Sequence, residues 1–162
     1  MAANAGEAWR AIVASSLDWQ EAHASLEAAA AGLPAELRGR RPDGLPHSPW
    51  ELVEHVRRTQ ADLLAFMANA AYTAPAWPDD YWPAGPLPPT ADAWEESLAA
   101  IRRDREGLQA LARRADIDLT ARIPWGEGQT YLRTILVAVD HAAYHVGQLV
   151  LVRRLLGAWP AA

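Results

Sequence analysis

A chain of 162 residues, 51% hydrophobic and 22% charged, has the size and balance of one globular domain spanning residues 1–162. It has no cysteine, and all 15 of its basic residues are arginine, which removes disulfides, thiolate and iron–sulfur chemistry, and Schiff-base catalysis by lysine. A net charge of -5 gives no footprint for a nucleic-acid backbone, no apolar run reaches the ~20 residues of a membrane span, and the first residues do not read as a secretory signal. The expectation is therefore a cytoplasmic protein with neither nucleic-acid nor membrane partners.

Trp9, Ile12, Ser16, Trp19, His23, Leu26 and Ala30 recur at spacings of three and four, which predicts a first helix over residues 7–31. A polar connection rich in Gly and Pro follows. Ser48, Pro49 and Glu51 then announce a second helix over 49–70: a serine cap, a proline at the first helical position and the glutamate of a capping box. Between Tyr72 and Thr90, six prolines forbid a continuing helix, while Trp77, Tyr81 and Trp82 argue against a solvated tether. The segment reads as a long ordered connection packed on the helices. A third helix is predicted over 91–115 and a fourth over 130–156, stopping at Gly157 with Pro160 just beyond. Four helices of about 25 residues with no convincing strand predict an all-α fold, an antiparallel four-helix bundle with a long Pro/Trp-rich connection between helices 2 and 3.

The last helix carries the unusual chemistry. His141 and His145 lie about 40° apart around its axis, on a stripe shared with Thr134, Ala138, Gln148, Val152 and Leu155. Two imidazoles in so apolar a helix need partners. They are either core histidines hydrogen-bonded across the fold or ligands of one divalent ion, and an open metal site would want a third protein ligand. His55, on the flank of the Leu52, Val56, Leu63 and Met67 line of the second helix, is the candidate.

The strings HSPWELVEHVRRTQADLLAFM and AVDHAAYHVGQLVLVRRLLGAW resemble the DinB/YfiT-like superfamily. In that superfamily the second helix of a four-helix bundle supplies one histidine, and the last supplies an H-x-x-x-H pair followed by Gly-Gln and basic residues, here Gly147, Gln148 and Arg153. The resemblance implies a divalent metal, zinc or nickel, on His55, His141 and His145. It also implies a thiol-dependent transferase using a low-molecular-weight thiol, or a hydrolase, acting on small molecules. Such a metal lowers the pKa of a bound water or thiol and so supplies the nucleophile that a cysteine-free chain lacks.

Around this triad, Gln148 can accept the second N–H of a ligand or touch substrate, Tyr144 can line a pocket, and His23, on the inner stripe of the first helix, reads as pocket wall or core. His47 reads as a solvated loop residue, Glu51 is accounted for by capping, and Asp140 belongs with Arg133 on the outer face. The competing class is a noncatalytic helical binding or structural module in which the metal is structural or absent. The last helix is apolar around much of its girth, which suggests a homodimer.

Overall fold

The computed structural model describes residues 5–160. Within them the chain is helical, and the one pairing of extended backbone is an isolated bridge between Arg122 and Thr130. The helices are α1 (Ala5–Ser16), α2 (Leu26–Ala30), α3 (Pro49–Ala68), α4 (Ala93–Arg113) and α5 (Tyr131–Leu155), with single 3-10 turns at Ala35–Leu37 and Asp79–Tyr81.

Residues 7–31 do not form one helix. The three-and-four periodicity continues across a break that the serines explain. Ser15 and Ser16 turn their hydroxyls back onto the carbonyls of Ile12 and Val13, and Ser25 restarts the helix by accepting the amide of Ala28. Such side-chain bonds offer the backbone an alternative to the helical ladder. The residues between, His23 among them, lie on an exposed link.

The other helices follow their local signals. Ser48 and Glu51 form the reciprocal capping box at the start of α3, and Glu51 is also held by Arg41, whose Nε donates to it at 2.8 Å. Thr130 caps α5, and Gly157 takes the left-handed conformation (φ +69°) that ends it. By length and average composition α5 is apolar enough to cross a membrane, although Arg133, Asp140, His141, His145 and Gln148 interrupt its apolar run. Its apolar residues serve the core on one side and remain outside on the other.

α3 packs against both α4 and α5, α1 packs on α4, and α2 packs on α5. The buried residues fall into two apolar clusters. One gathers α2, the N-terminal half of α3 (Trp50, Leu52, Val53, Val56), the start of α4 and the C-terminal half of α5 (Val146, Leu149, Val152). The other gathers α1, the end of α3 (Met67), the end of α4 (Leu108, Leu111) and the N-terminal half of α5 (Ile135, Ala138). Arginines fasten both ends. Arg10 donates to the carbonyls of Arg114 and Ile117 after α4. The buried Arg153 donates to Ala29, Ala31 and Ala158, so every part of its guanidinium meets a backbone oxygen.

The Pro/Trp-rich connection is ordered and lies along α3. Asp62 accepts the hydroxyls of Tyr72 (2.6 Å) and Tyr81 (2.7 Å), Arg58 donates to the carbonyls of Asp80 and Trp82, and Ser48 donates to Pro86. Near its far end Leu87 sits against Gly39 so closely that a Cβ there would have no room.

Candidate metal centre

Between the two apolar clusters lies a belt of polar side chains. His55 is the seventh residue of α3, and His141 and His145 lie ten or more residues from either end of α5. The three imidazoles nevertheless stand at one level, so the ends of α3 and α5 are offset by about a helical turn or more. One ring nitrogen from each lies within 4.8 Å of the others. His141 Nε2 is 3.0 Å from His55 Nε2, and the ring centroids are 4.4–4.8 Å apart.

Each outer nitrogen of two of the rings is already engaged. His55 Nδ1 is 2.8 Å from the carbonyl oxygen of Tyr81, and His145 Nδ1 is 2.7 Å from Gln148 Oε1. Both partners are acceptors, so both Nδ1 atoms carry the hydrogen and both Nε2 lone pairs are left for another purpose. Gln148 is itself held, its amide donating to the Tyr144 hydroxyl at 3.1 Å. The face of His55 is covered by Trp82, stacked at 3.8 Å with the rings 4° from parallel, and His47 stacks on Trp82 in turn at 4.1 Å.

Beneath this lies a charged brace. Glu54 accepts from Arg57, Arg58 and Ser97, and Arg58 reaches on to the carbonyls that flank Tyr81. Burial alone would raise the Glu54 carboxyl, but the hydrogen bonds from Arg57, Arg58 and Ser97 outweigh it and hold the carboxyl below its ordinary value.

The histidines are kept neutral. Burial, followed by the neighbouring His145 and His55 rings, lowers His141 to about 3. Burial and His55 lower His145 to about 4 against the opposing bond to Gln148. Burial also lowers His55, although the Tyr81 carbonyl pulls the other way. Neutral imidazole is the form that ligates a metal.

The donor set fits a divalent cation. Two nitrogens on one tetrahedral ion, bonded at about 2.0–2.1 Å, lie roughly 3.3 Å apart, close to the 3.0 Å found between His141 and His55. Second-nitrogen bonds to a carbonyl and an amide oxygen are what metal-ligating histidines usually make. The hydroxyl of Thr59, one turn beyond His55, is buried without a partner in the same belt.

The family model of the DinB superfamily matches residues 18–149. The chain belongs to the DinB superfamily. Comparison with curated proteins and with solved structures gives no match. The match of this DinB-superfamily chain covers α2, α3, α4 and α5 as far as Leu149, and includes all three histidines.

The structure brings His55, His141 and His145 together, with Gln148 and Tyr144 at their edge. It does not bring His23 there: that residue is exposed on the α1–α2 link, bonded through Nδ1 to the carbonyl of Ala24, and it lines a separate cavity of about 80 Å³. His47 is not a solvated loop residue. It is half-buried on Trp82, and its Nδ1 is enclosed without a partner. The Tyr81 carbonyl, the Trp82 ring and the Glu54–Arg58 brace went unforeseen. A backbone carbonyl leaves no residue-type signal, although two aromatics inside a proline-rich connection did mark it as packed.

Proposed function

We propose that this DinB-superfamily protein is one domain with an antiparallel four-helix-bundle arrangement, α1 and α2 together standing for the first helix, that uses His55, His141 and His145 to hold a divalent metal and acts on small molecules. Zinc or nickel suits three neutral imidazoles. The reaction is the transfer of a group to a low-molecular-weight thiol or to water. One observation carries this reading: three imidazoles from two helices converge, and the Nδ1 atoms of His55 and His145 are committed to acceptors, so that their Nε2 atoms carry lone pairs rather than hydrogens.

When bound, such a metal supplies Lewis acidity that activates a thiol or water near neutral pH. The protein's own residues set the rest. Tyr81 and Gln148 orient the rings, Trp82 and the apolar clusters exclude water, and Gln148 and Tyr144 offer polar atoms at the edge. Beside that edge is a cavity of about 70 Å³ walled by Leu45, Pro46, Leu52, Leu151 and Val152 and flanked by His47 and Gln148. It is several times the ~10–15 Å³ that admits one water and about half the ~150 Å³ that admits benzene, which suits a short alkyl group of a substrate. A larger groove of about 520 Å³ lies between α3 and α4, and none of the three histidines lines it.

The noncatalytic reading has one observation on its side. The cluster contains no carboxylate among the described residues: Glu54, next to His55, is engaged by Arg57, Arg58 and Ser97, and Asp140, next to His141, is exposed on the outer side of α5. Elemental analysis of protein purified without a histidine tag separates the outcomes. The expected result is about one metal per chain, lost in His141→Ala. Thermal shifts of the loaded protein with a panel of thiols and electrophiles then test for an open coordination sphere. Metal-free protein overturns the metal reading, whereas stoichiometric metal with no shift from any compound leaves only a structural metal.

A further inference from the structure

Gly147 stands in the middle of α5, and within the chain nothing explains it. A Cβ added there meets no atom within 4 Å, so the helix gives up propensity without any internal close approach in return. The face centred on Gly147 is open. Leu136, Tyr144 and Leu151 lie within roughly 60° of it around the helix and are 50%, 63% and 49% exposed. Asp140 and Arg154 lie within roughly 20° of the same line, one seven residues before Gly147 and the other seven residues after it. Among the described residues Asp140, Arg133 and Arg154 form no ion pair, and the Arg154 guanidinium rests 6.0 Å from the Trp159 ring.

We infer that α5 pairs with α5 of a second copy of this chain, antiparallel about a twofold axis at Gly147, with Asp140 of each copy facing Arg154 of the other. A twofold interface must be self-complementary, and equal spacing of opposite charges about one point satisfies that condition. A parallel pairing centred on the same glycine would set Asp140 against Asp140. Two charges about 10 Å along the helix from the crossing stay within reach when the helices cross at about 20°, the angle of close antiparallel packing. Gly147 lets the two backbones approach at the axis, and Leu136 and Leu151 flank it. The partner helix would also shelter Tyr144, whose hydroxyl holds Gln148 against His145. The pairing does not depend on a metal.

Sedimentation equilibrium of the full chain tests this. The wild type is expected at twice 17.7 kDa at high micromolar concentration. Gly147→Gln adds a side chain that only a partner would meet, so it is expected to be monomeric with unchanged helical circular dichroism. Asp140→Arg and Arg154→Asp are each expected to weaken the dimer about tenfold or more, and the double variant to restore it. A monomeric wild type overturns the inference, as does a dimer that survives Gly147→Gln or a double charge variant no more dimeric than the singles.

Discussion

The two apolar clusters and the belt between them contrast in how completely they are satisfied. In the clusters, Leu149, Ile135, Leu108 and Leu119 are wholly buried among apolar neighbours, and the Arg153 guanidinium that fastens one end has each of its three nitrogens bonded to a carbonyl oxygen. In the belt, three imidazoles crowd together in a setting that opposes their protonation, and the Thr59 hydroxyl and His47 Nδ1 are enclosed without partners. Stability resides in the first arrangement. The second carries a cost in stability, because an enclosed polar atom without a partner is unfavourable.

Acid should separate the two regions most strongly. Above the ordinary histidine value of 6.5 the rings are neutral whether the chain is folded or not. Below it the unfolded chain takes up protons that the folded one refuses until pH has fallen to about 4 for His145 and about 3 for His141. Their contribution to stability is therefore intact above 6.5 and is lost progressively through that window. Urea titrations of metal-free protein at stepped pH should show the midpoint falling with acid, and replacing both histidines with glutamine should flatten the dependence.

Leu149→Ala or Ile135→Ala should cost about 2–5 kcal/mol in urea unfolding while leaving the metal content of the folded protein unchanged. Gln148→Ala should do the reverse. It frees the His145 ring and is expected to weaken metal affinity about 10–100-fold, read by chelator competition, with little change in the urea midpoint. The smallest effect belongs to Ser48→Ala, which removes a cap and the anchor to Pro86 for about 1 kcal/mol by thermal unfolding.

The long helices were legible because their signals are local. Ser48, Glu51, Thr130 and Gly157 sit at ends that the structure places within a few residues of expectation. The cluster of His55, His141 and His145 was legible as a candidate because residue type and helical spacing both pointed to it. The break after Ser16 was hidden because the apolar spacing runs through it unchanged, and the competing hydroxyl bonds weigh little in any periodicity. The burial of Arg153 was hidden for a different reason: an arginine in the last turn of a helix looks solvated, and the three carbonyls it serves come from residues 29, 31 and 158.

The Tyr81 carbonyl deserves a different kind of mutagenesis. No side-chain substitution deletes a main-chain oxygen, so point-by-point scanning of the connection would leave the tether of His55 untouched. Inserting or removing a single residue between Trp77 and Trp82 shifts that oxygen along the backbone and releases the imidazole, and a half-turn of the freed ring puts carbon Cε1 where Nε2 faced the other histidines. Variation in loop length, more than in loop composition, is thus the change to which this pocket is most vulnerable.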